Sequence, residues 1–206
     1  MLPGGFSAGD EPEGSGKFFA AAFRSNMITD AVRDLLFNRD GLMLGICNGF
    51  QSLIKLGLLP YGDVKELTAE SPTLTFNSIG RHQNSYVRTK IMSNNSPWLS
   101  KCNVGEVYNI PISHGEGRFA ASMDFVRKLE ANGQIATCYV DINDNLTADT
   151  AFNPNGSICA IEGILSPDGR IFGKMGHSER YEPDLTKNIG GNKDQKIFES
   201  GVAYFK

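Results

Sequence analysis

An apolar stretch that ends on a cysteine between two glycines constrains the fold of this 206-residue chain most. Residues 41–46 are apolar on both sides and bounded by glycine, which is typical of a short buried strand. After Cys47 the period changes, because Phe50, Leu53 and Ile54 recur at the spacing of a helix face. The sequence therefore predicts a strand, a sharp turn and a helix, with Cys47 on the turn.

This arrangement is typical of the nucleophile elbow, in which a reactive side chain is presented on a strained turn. Glycine two residues before and two residues after the nucleophile, Gly45 and Gly49, relieves crowding at the turn. The N-terminus of the following helix points at the sulfur, so we expect a pKa of Cys47 below the free value of about 8.5. The backbone N–H of Asn48 is placed to hold an oxyanion. The pattern favours a catalytic Cys47 over a structural cysteine in a turn.

A nucleophilic thiol needs a base, and the chain contains three histidines. His177 follows a predicted strand, and catalytic groups gather where parallel strands end. Glu179 lies two positions on and faces the same way in extended backbone, so it can orient the imidazole. His114 is interpreted as a residue that shapes a ligand-contacting loop, and His82 is assigned no role. The residues therefore predict a Cys47–His177–Glu179 triad.

The charge and hydropathy of the chain argue against binding to nucleic acid or to a membrane. The net charge of −3 gives no electrostatic footprint for nucleic acid or anionic lipid. No apolar run approaches the roughly 18 residues of a membrane span, and no basic-then-apolar segment opens the chain, so a cytoplasmic protein without nucleic-acid or membrane partners is expected. Cys102, Cys138 and Cys159 lack metal-type spacing and are interpreted as free thiols, mostly small buried hydrophobes. No metal site is expected.

The remaining pattern favours an α/β domain, a mainly parallel sheet flanked by helices with an antiparallel hairpin addition. Residues 1–16 are predicted to be loop, and 17–40 helix with a break near Ser25 and a cap at Thr29 or Asp30. Later segments predict further strands, a helix over 123–133 and a terminal helix over 194–205. The turn at 166–169 predicts a hairpin within 157–175.

Four motifs occur in a specific order: "PGGFSAGD", "LGICNGFQ", "SHGEGRF" and "GHSER". Together they resemble the class I (triad) glutamine amidotransferases, and among these the glutaminase domains of phosphoribosylformylglycinamidine synthases. The resemblance runs along nearly the whole chain and implies one flavodoxin-like glutaminase domain over residues 1–206. It implies that Cys47 attacks the side-chain amide of glutamine and releases ammonia, that His177 moves the protons and that Glu179 orients His177.

The resemblance also implies how the substrate is held. The loop Gly4-Gly5-Phe6 resembles the oxyanion loop of the family, which shares its task with the N–H of Asn48. Gln51 resembles the glutamine-pocket residue on the helix after the nucleophile. The loop with His114, Gly115 and Glu116 resembles the loop that lines the pocket and faces the synthetase, so we expect these three residues to belong to the site.

The partner implied by the resemblance is a formylglycinamide ribonucleotide synthetase, fused or as a separate chain. Ammonia passes to its active site, where ATP activates formylglycinamide ribonucleotide. Nothing in the sequence resembles an ATP-binding part. We therefore expect no cofactor in this domain, and ATP and magnesium on the synthetase partner.

The sequence departs from the family pattern in two ways. Many relatives carry proline on both sides of the catalytic histidine, where this chain has Gly176 and Ser178. The family's domain also opens with a strand before the oxyanion loop, whereas this chain starts almost on that loop, so we expect that strand to be absent. An interior strand that is absent leaves its neighbours unpaired. We therefore expect the C-terminal part of a longer synthase, or a domain completed by another polypeptide.

Two other functions compete with amidotransfer at this stage. A stand-alone γ-glutamyl hydrolase or a cysteine peptidase can share the elbow, the histidine and the oxyanion loop. A non-catalytic binding module can keep the fold, although the intact set of Cys47, His177 and Glu179 disfavours that reading.

The missing strand leads to a prediction about the isolated chain. Because unpaired strand edges favour association, the chain expressed alone should be poorly stable or self-associate. Sedimentation and denaturant unfolding measure both properties. A monomer that unfolds in two states with ordinary stability would contradict this expectation.

Overall fold

The computed structural model describes residues 1–6 and 14–206 of the chain. Residues 7–13, which carry part of the predicted N-terminal loop and of the "PGGFSAGD" motif, lie outside the described residues. The α-helices are α1 Lys17–Phe23, α2 Asn26–Arg33, α3 Asn48–Leu56, α4 Leu58–Tyr61, α5 Met123–Ala131 and α6 Ile197–Tyr204. The strands are β1 Met43–Ile46, β2 Thr73–Phe76, β3 Gln83–Ile91, β4 Val107–His114, β5 Glu116–Ala120, β6 Ile135–Tyr139, β7 Ile161–Leu165 and β8 Ile171–Lys174.

Within the described ranges the strands form a six-stranded sheet, in the order β1-β8-β7-β6-β3-β4, and a separate antiparallel pair of β2 and β5. The predicted α/β class with flanking helices is confirmed. The expectation of a mainly parallel sheet is wrong for these strands, since β1 pairs with β8 in parallel and the other four pairs of the large sheet are antiparallel. Parallel neighbours need a crossover of a dozen or more residues, whereas β7 and β8 are joined by the predicted tight turn.

The N-terminus reaches the outer side of β1. The N–H of Leu2 donates to the carbonyl of Leu44 at 2.7 Å, and the N–H of Ile46 donates to the carbonyl of Leu2 at 3.1 Å. Leu2 thus forms a parallel bridge opposite Gly45, and it is buried. The loop predicted from residue 1 onwards therefore contains one residue in a strand position, directly before the predicted oxyanion loop.

The predicted helix over 17–40 is broken where expected, between α1 and α2, but the expected cap is wrong. Helix α2 already begins at Asn26, after Ser25 in extended conformation. The hydroxyl of Thr29 instead donates backwards to the carbonyl of Phe23 at 2.8 Å, which joins the two helices across the break. A short π-helical turn, Asp34–Asn38, ends this region before β1.

Helix α3 lies in the middle of the core, and all of its residues except Lys55 are buried. A Cβ built on Gly173 of β8 would overlap the ring of Phe50 and lie 2.5 Å from Leu59. Glycine in β8 therefore lets α3 pack directly on the sheet, behind the turn that carries Cys47. None of the helices in the described ranges combines the length and the apolar character that a bilayer span requires.

Gly49 gives a test of this packing. A Cβ at this position would overlap the carbonyl oxygen of Leu2. Helix propensity alone would favour Gly49→Ala by about 1 kcal/mol. We expect the opposite sign, a loss of roughly 1–3 kcal/mol in the free energy of unfolding, because the contact is with backbone that holds the N-terminus on β1. Urea denaturation measures the change, with Gly190→Ala as the control, since Gly190 is exposed with nothing within 4 Å of its Cβ position. Equal stability of the two variants would contradict this view.

Candidate active site

Cys47 sits on a strained turn between β1 and α3. Its φ of 52° and ψ of −108° are unusual for a residue with a side chain. Its N–H donates to the carbonyl of Lys174 at 2.8 Å, and its carbonyl accepts from the N–H of Gln51 at 3.1 Å in the first turn of α3. The strand, turn and helix predicted around Cys47 are therefore present.

Both elbow glycines are sterically required, for different reasons. A Cβ on Gly45 would lie 2.8 Å from the backbone of Gly49, the crowding that the sequence predicts. The space above Gly49 is instead filled by Leu2. The second glycine therefore makes room for the N-terminal segment, and not for Gly45.

A cavity of about 480 Å³ opens above the elbow. The predicted site residues that line it are Gly5, Phe6, Cys47, Asn48, Gln51, His114, Gly115, Glu116 and His177. Gly4 and Glu179 do not line the cavity but lie next to residues that do. Gly4 lies close to Cys47 and His177, and Glu179 is hydrogen-bonded to His177. The structure thus brings all the residues predicted from the sequence to one place.

Cys47 and His177 meet because β1 and β8 are parallel neighbours, with Ile46 opposite Lys174. Both strands end at the same edge of the sheet, so the residues that follow them lie side by side. A Cβ on Gly4 would lie 2.6 Å from Cε1 of His177 and 3.2 Å from Cβ of Cys47. Only glycine at this position lets the N-terminal loop pass so close to both side chains.

His177 and Glu179 form a close pair, with 2.5 Å between Nδ1 and Oε1. A carboxylate only accepts hydrogen bonds, so Nδ1 is the donor in this contact. Burial raises the pKa of Glu179, but the hydrogen bond and charge of His177 and the charge of Arg180 outweigh it, so the pKa lies below its usual value. The carboxylate is therefore ionised beside the imidazole. Arg180 approaches the other ring nitrogen at 3.5 Å.

The thiol of Cys47 is protonated at rest, contrary to the expectation from the helix N-terminus. Burial raises its pKa to about 11, although the backbone N–H groups of Asn48 and Gly5 lower it. The sulfur lies 3.7 Å from the carbonyl of Ser113, the acceptor for its proton. Two N–H donors, one from α3 and one from the N-terminal loop, thus point at the sulfur, but burial has the larger effect.

The far wall of the cavity is built from the loop around His114. Gln51 donates to the carbonyl of Glu116, and Glu116 accepts from the N–H of Ser15 at 3.3 Å. His114 is buried, with Nδ1 3.2 Å from Oδ1 of Asn77. Burial, helped by the charges of His177 and His82, lowers the pKa of His114 to about 4, so this imidazole is neutral near pH 7.

Several lining residues were missed by the sequence reasoning. His82, assigned no role, lines the cavity with Nε2 3.0 Å from the hydroxyl of Ser113. Arg81 and Phe76 lie on the same side, and Arg180 lies beside His177. Ser113 and Arg180 are directly adjacent to predicted site residues, so their positions gave a signal. The loop over 76–82 gave none, because it reaches the site only through the fold.

The described residues contain no group of three or more His, Cys, Asp or Glu side chains able to hold a metal ion. What the cavity can do chemically follows from its thiol, its imidazole–carboxylate pair and its two N–H donors. These groups suit attack by sulfur on a carbonyl carbon, with the imidazole as proton carrier.

Comparisons with known proteins show the family to which the chain belongs. The family model of the CobB/CobQ-like glutamine amidotransferase domain matches residues 1–205. The phosphoribosylformylglycinamidine synthase subunit PurQ of Methanococcus maripaludis is 39% identical, over 100% of this chain and 79% of that one. The same subunit of Salinibacter ruber is 37% identical, over 97% of this chain and 76% of that one. A chain of the PurLQS structure from Thermotoga maritima has a TM-score of 0.70 at 32% identity, over 98% of this chain and 77% of that chain.

The protonation state of Cys47 leads to a prediction. With a pKa of about 11, the thiolate fraction rises roughly tenfold per pH unit from pH 7 to pH 10. We expect the alkylation rate of Cys47 by iodoacetamide to rise in parallel, measured on the Cys47 peptide by mass spectrometry. A short unstructured peptide with one cysteine, whose thiol has a pKa near 8.5, is the control and should level off earlier. A rate for Cys47 that is already constant below about pH 8 would show an ionised thiol and contradict the assignment.

Proposed function

The chain belongs to the CobB/CobQ-like glutamine amidotransferase family, and we propose that it is the glutaminase part of a phosphoribosylformylglycinamidine synthase. In this proposal it hydrolyses glutamine and supplies ammonia for the amidation of formylglycinamide ribonucleotide in purine biosynthesis. The observation that carries the proposal is the position of Cys47, with the N–H groups of Gly5 and Asn48 at its sulfur and the His177–Glu179 pair in the same cavity.

The first step forms a bond between sulfur and the substrate. His177 takes the proton of the Cys47 thiol as the sulfur attacks the side-chain carbonyl carbon of glutamine. The carbonyl π electrons move to oxygen, and the resulting oxyanion accepts from the N–H groups of Gly5 and Asn48.

The second step releases ammonia. The oxyanion collapses, the C–N bond breaks, and His177 returns its proton to the leaving nitrogen. Water, activated by the same imidazole, then attacks the γ-glutamyl thioester and yields glutamate and the free thiol. Glu179 is ionised and bonded to Nδ1, so it stabilises the imidazolium that forms in both steps.

Because the thiol is protonated before the reaction, His177 has to act as the base that removes its proton. A thiol with a pKa of about 11 is almost fully protonated near pH 7, so proton removal has to accompany attack. Little thiolate is therefore available near pH 7, and the imidazole has to accept the thiol proton as the substrate carbonyl is attacked.

The synthetase partner remains a proposal for this chain. The relatives are subunits of a synthase, and the similar chain from Thermotoga maritima belongs to a structure of PurLQS, which supports a synthetase partner here. ATP and magnesium would bind to that partner, where formylglycinamide ribonucleotide is activated. The cytoplasmic location expected from the sequence stays a prediction.

The proposed function is tested by glutamine hydrolysis, measured as glutamate release with the synthetase partner present. Cys47→Ala should abolish turnover, because it removes the thiol that attacks the amide carbon. Glu179→Gln should lower kcat by roughly 10²–10⁴-fold while Cys47 stays in place, since the imidazolium loses its counter-charge. Cys159→Ala is the matched control; Cys159 is an exposed thiol outside this cavity, and its loss should leave kcat unchanged.

Two results would overturn the proposal. Faster cleavage of γ-glutamyl peptides than of glutamine would identify a γ-glutamyl hydrolase or peptidase on the same scaffold. Absence of Cys47-dependent hydrolysis of either substrate in the whole synthase would identify a binding module.

A further inference from the structure

A fully buried pair of opposite charges lies behind His177 and takes no part in the reaction described above. Glu162 of β7 and Lys174 of β8 both have completely buried side chains, and Nζ lies 3.9 Å from Oε1. Burying two charges is costly, and well-packed apolar residues of similar volume are often at least as stable. The stability of the core therefore does not account for these two residues.

Glu162 is bound to the residue directly before His177. Its Oε1 accepts from the N–H of Gly176 at 2.6 Å, and its Oε2 accepts from the hydroxyl of Thr137 at 2.5 Å. A Cβ on Gly176 would lie 2.9 Å from Oε1 of Glu162 and 2.7 Å from the side chain of Ile110. The backbone at 176 is thus enclosed between the carboxylate and the sheet.

Lys174 is bound to the residue directly after His177. Its Nζ donates to the hydroxyl of Ser178 at 2.7 Å and to Oε1 of Gln195 at 2.6 Å. The hydroxyl of Ser178 in turn donates to the same Gln195 oxygen at 2.6 Å, which closes a three-membered ring of hydrogen bonds. Burial lowers the pKa of Lys174, and the carboxylates of Glu162 and Glu179 act against this shift.

The backbone of His177 makes two hydrogen bonds. Its N–H donates to the carbonyl of Pro111 at 2.8 Å, and its carbonyl accepts from the N–H of Arg180 at 3.1 Å. The segment is otherwise without regular structure between β8 and the short turn Ser178–Arg180. The contacts of Glu162 and Lys174 therefore hold the residues on both sides of His177, while Glu179 orients the ring itself.

We propose that Glu162 and Lys174 are positioning residues, which act through Gly176 and Ser178 to hold His177 where its ring reaches the Cys47 thiol. This inference rests on the proposed function, because it assigns the pair a role in proton transfer. It predicts that the pair affects kcat, since the proton is transferred during the reaction, and leaves glutamine binding almost unchanged.

The experiment uses the whole synthase with its synthetase partner and measures kcat and KM for glutamine hydrolysis. The main variant is the double replacement Glu162→Leu with Lys174→Met, which removes both charges and keeps the volume. We expect kcat at least tenfold lower, KM within threefold, and a melting temperature within a few degrees of the wild type. Thr137→Val is the matched control, because it removes the other hydrogen bond of Glu162 in the same core. It should keep kcat within twofold.

Ser178→Ala serves as the second variant if the double variant does not fold. It removes the contact of Lys174 beside His177 without altering charge, and it should lower kcat at least fivefold with KM within threefold. A folded double variant, or in its absence Ser178→Ala, with kcat within fivefold of the wild type would overturn the positioning role. So would a loss of kcat in Thr137→Val as large as that in the double variant, since any damage to this core would then suffice.

The two proposals fail in different ways. If Cys47→Ala retains glutamine hydrolysis, or the wild-type synthase has none, the proposed function is wrong and the positioning role falls with it. If hydrolysis depends on Cys47 and the double variant is as active as the wild type, only the positioning role is wrong.

Discussion

The parallel pairing of β1 with β8 is the constraint on which the rest of the site depends. It makes two strands distant in sequence end at the same edge of the sheet, with Ile46 opposite Lys174. The N–H of Cys47 continues this ladder by donating to the carbonyl of Lys174. The nucleophile and the base are therefore placed by main-chain hydrogen bonds, before any contact between their side chains. The antiparallel strands on the other side of β8 support this arrangement: β4 contributes Ser113 to the cavity wall, and Pro111 of β4 and Glu162 of β7 bind the backbone of His177 and Gly176.

Burial favours the neutral form of each titratable group in this cavity, whereas nearby charges and hydrogen bonds favour the charged form. Burial has the larger effect on Cys47 and His114. It keeps the Cys47 thiol protonated and the His114 ring neutral, while Glu179 stays charged because it is bonded to His177. A site of low polarity strengthens the two N–H donors at the sulfur, because their dipoles are less screened than in water. The same burial that suppresses the thiolate at rest thus helps to stabilise the oxyanion.

The parts of this site that lie close together in the sequence can be predicted from it. The elbow is encoded within a few residues by Gly45, Cys47 and Gly49, and the triad acid lies two positions after its histidine. The pKa of Cys47 and the pairing of the strands depend on tertiary contacts, and the sequence did not predict them correctly. The predicted direction of the pKa shift of Cys47 was wrong. The prediction used only the helix N-terminus, whereas the shift is dominated by burial of the sulfur under the N-terminal loop, which is a tertiary contact. The sheet was expected to be mainly parallel because the pattern reveals strands but not their partners.

Other parts of the site have no local signal at all. Glu162 and Lys174 stand twelve positions apart, and they meet only because the hairpin places Gly163 opposite Lys174. His82 directly precedes β3 and reaches the cavity because β3 pairs with β4, although its own segment has the polar pattern of an exposed loop. Leu2 reads as the start of a loop, and its place beside β1 depends on the backbone of Leu44 and Ile46 being free to pair.

The bridge at Leu2 has a consequence for how the three parts of the site are connected. The loop that bears the Gly5 donor is attached to one side of β1 through Leu2, and β8, which leads to His177, pairs with the other side along the whole of β1. The donor, the sulfur and the ring are therefore joined through the main chain of a single four-residue strand. Any change that releases β1 from either neighbour should disconnect one of the three groups from the other two.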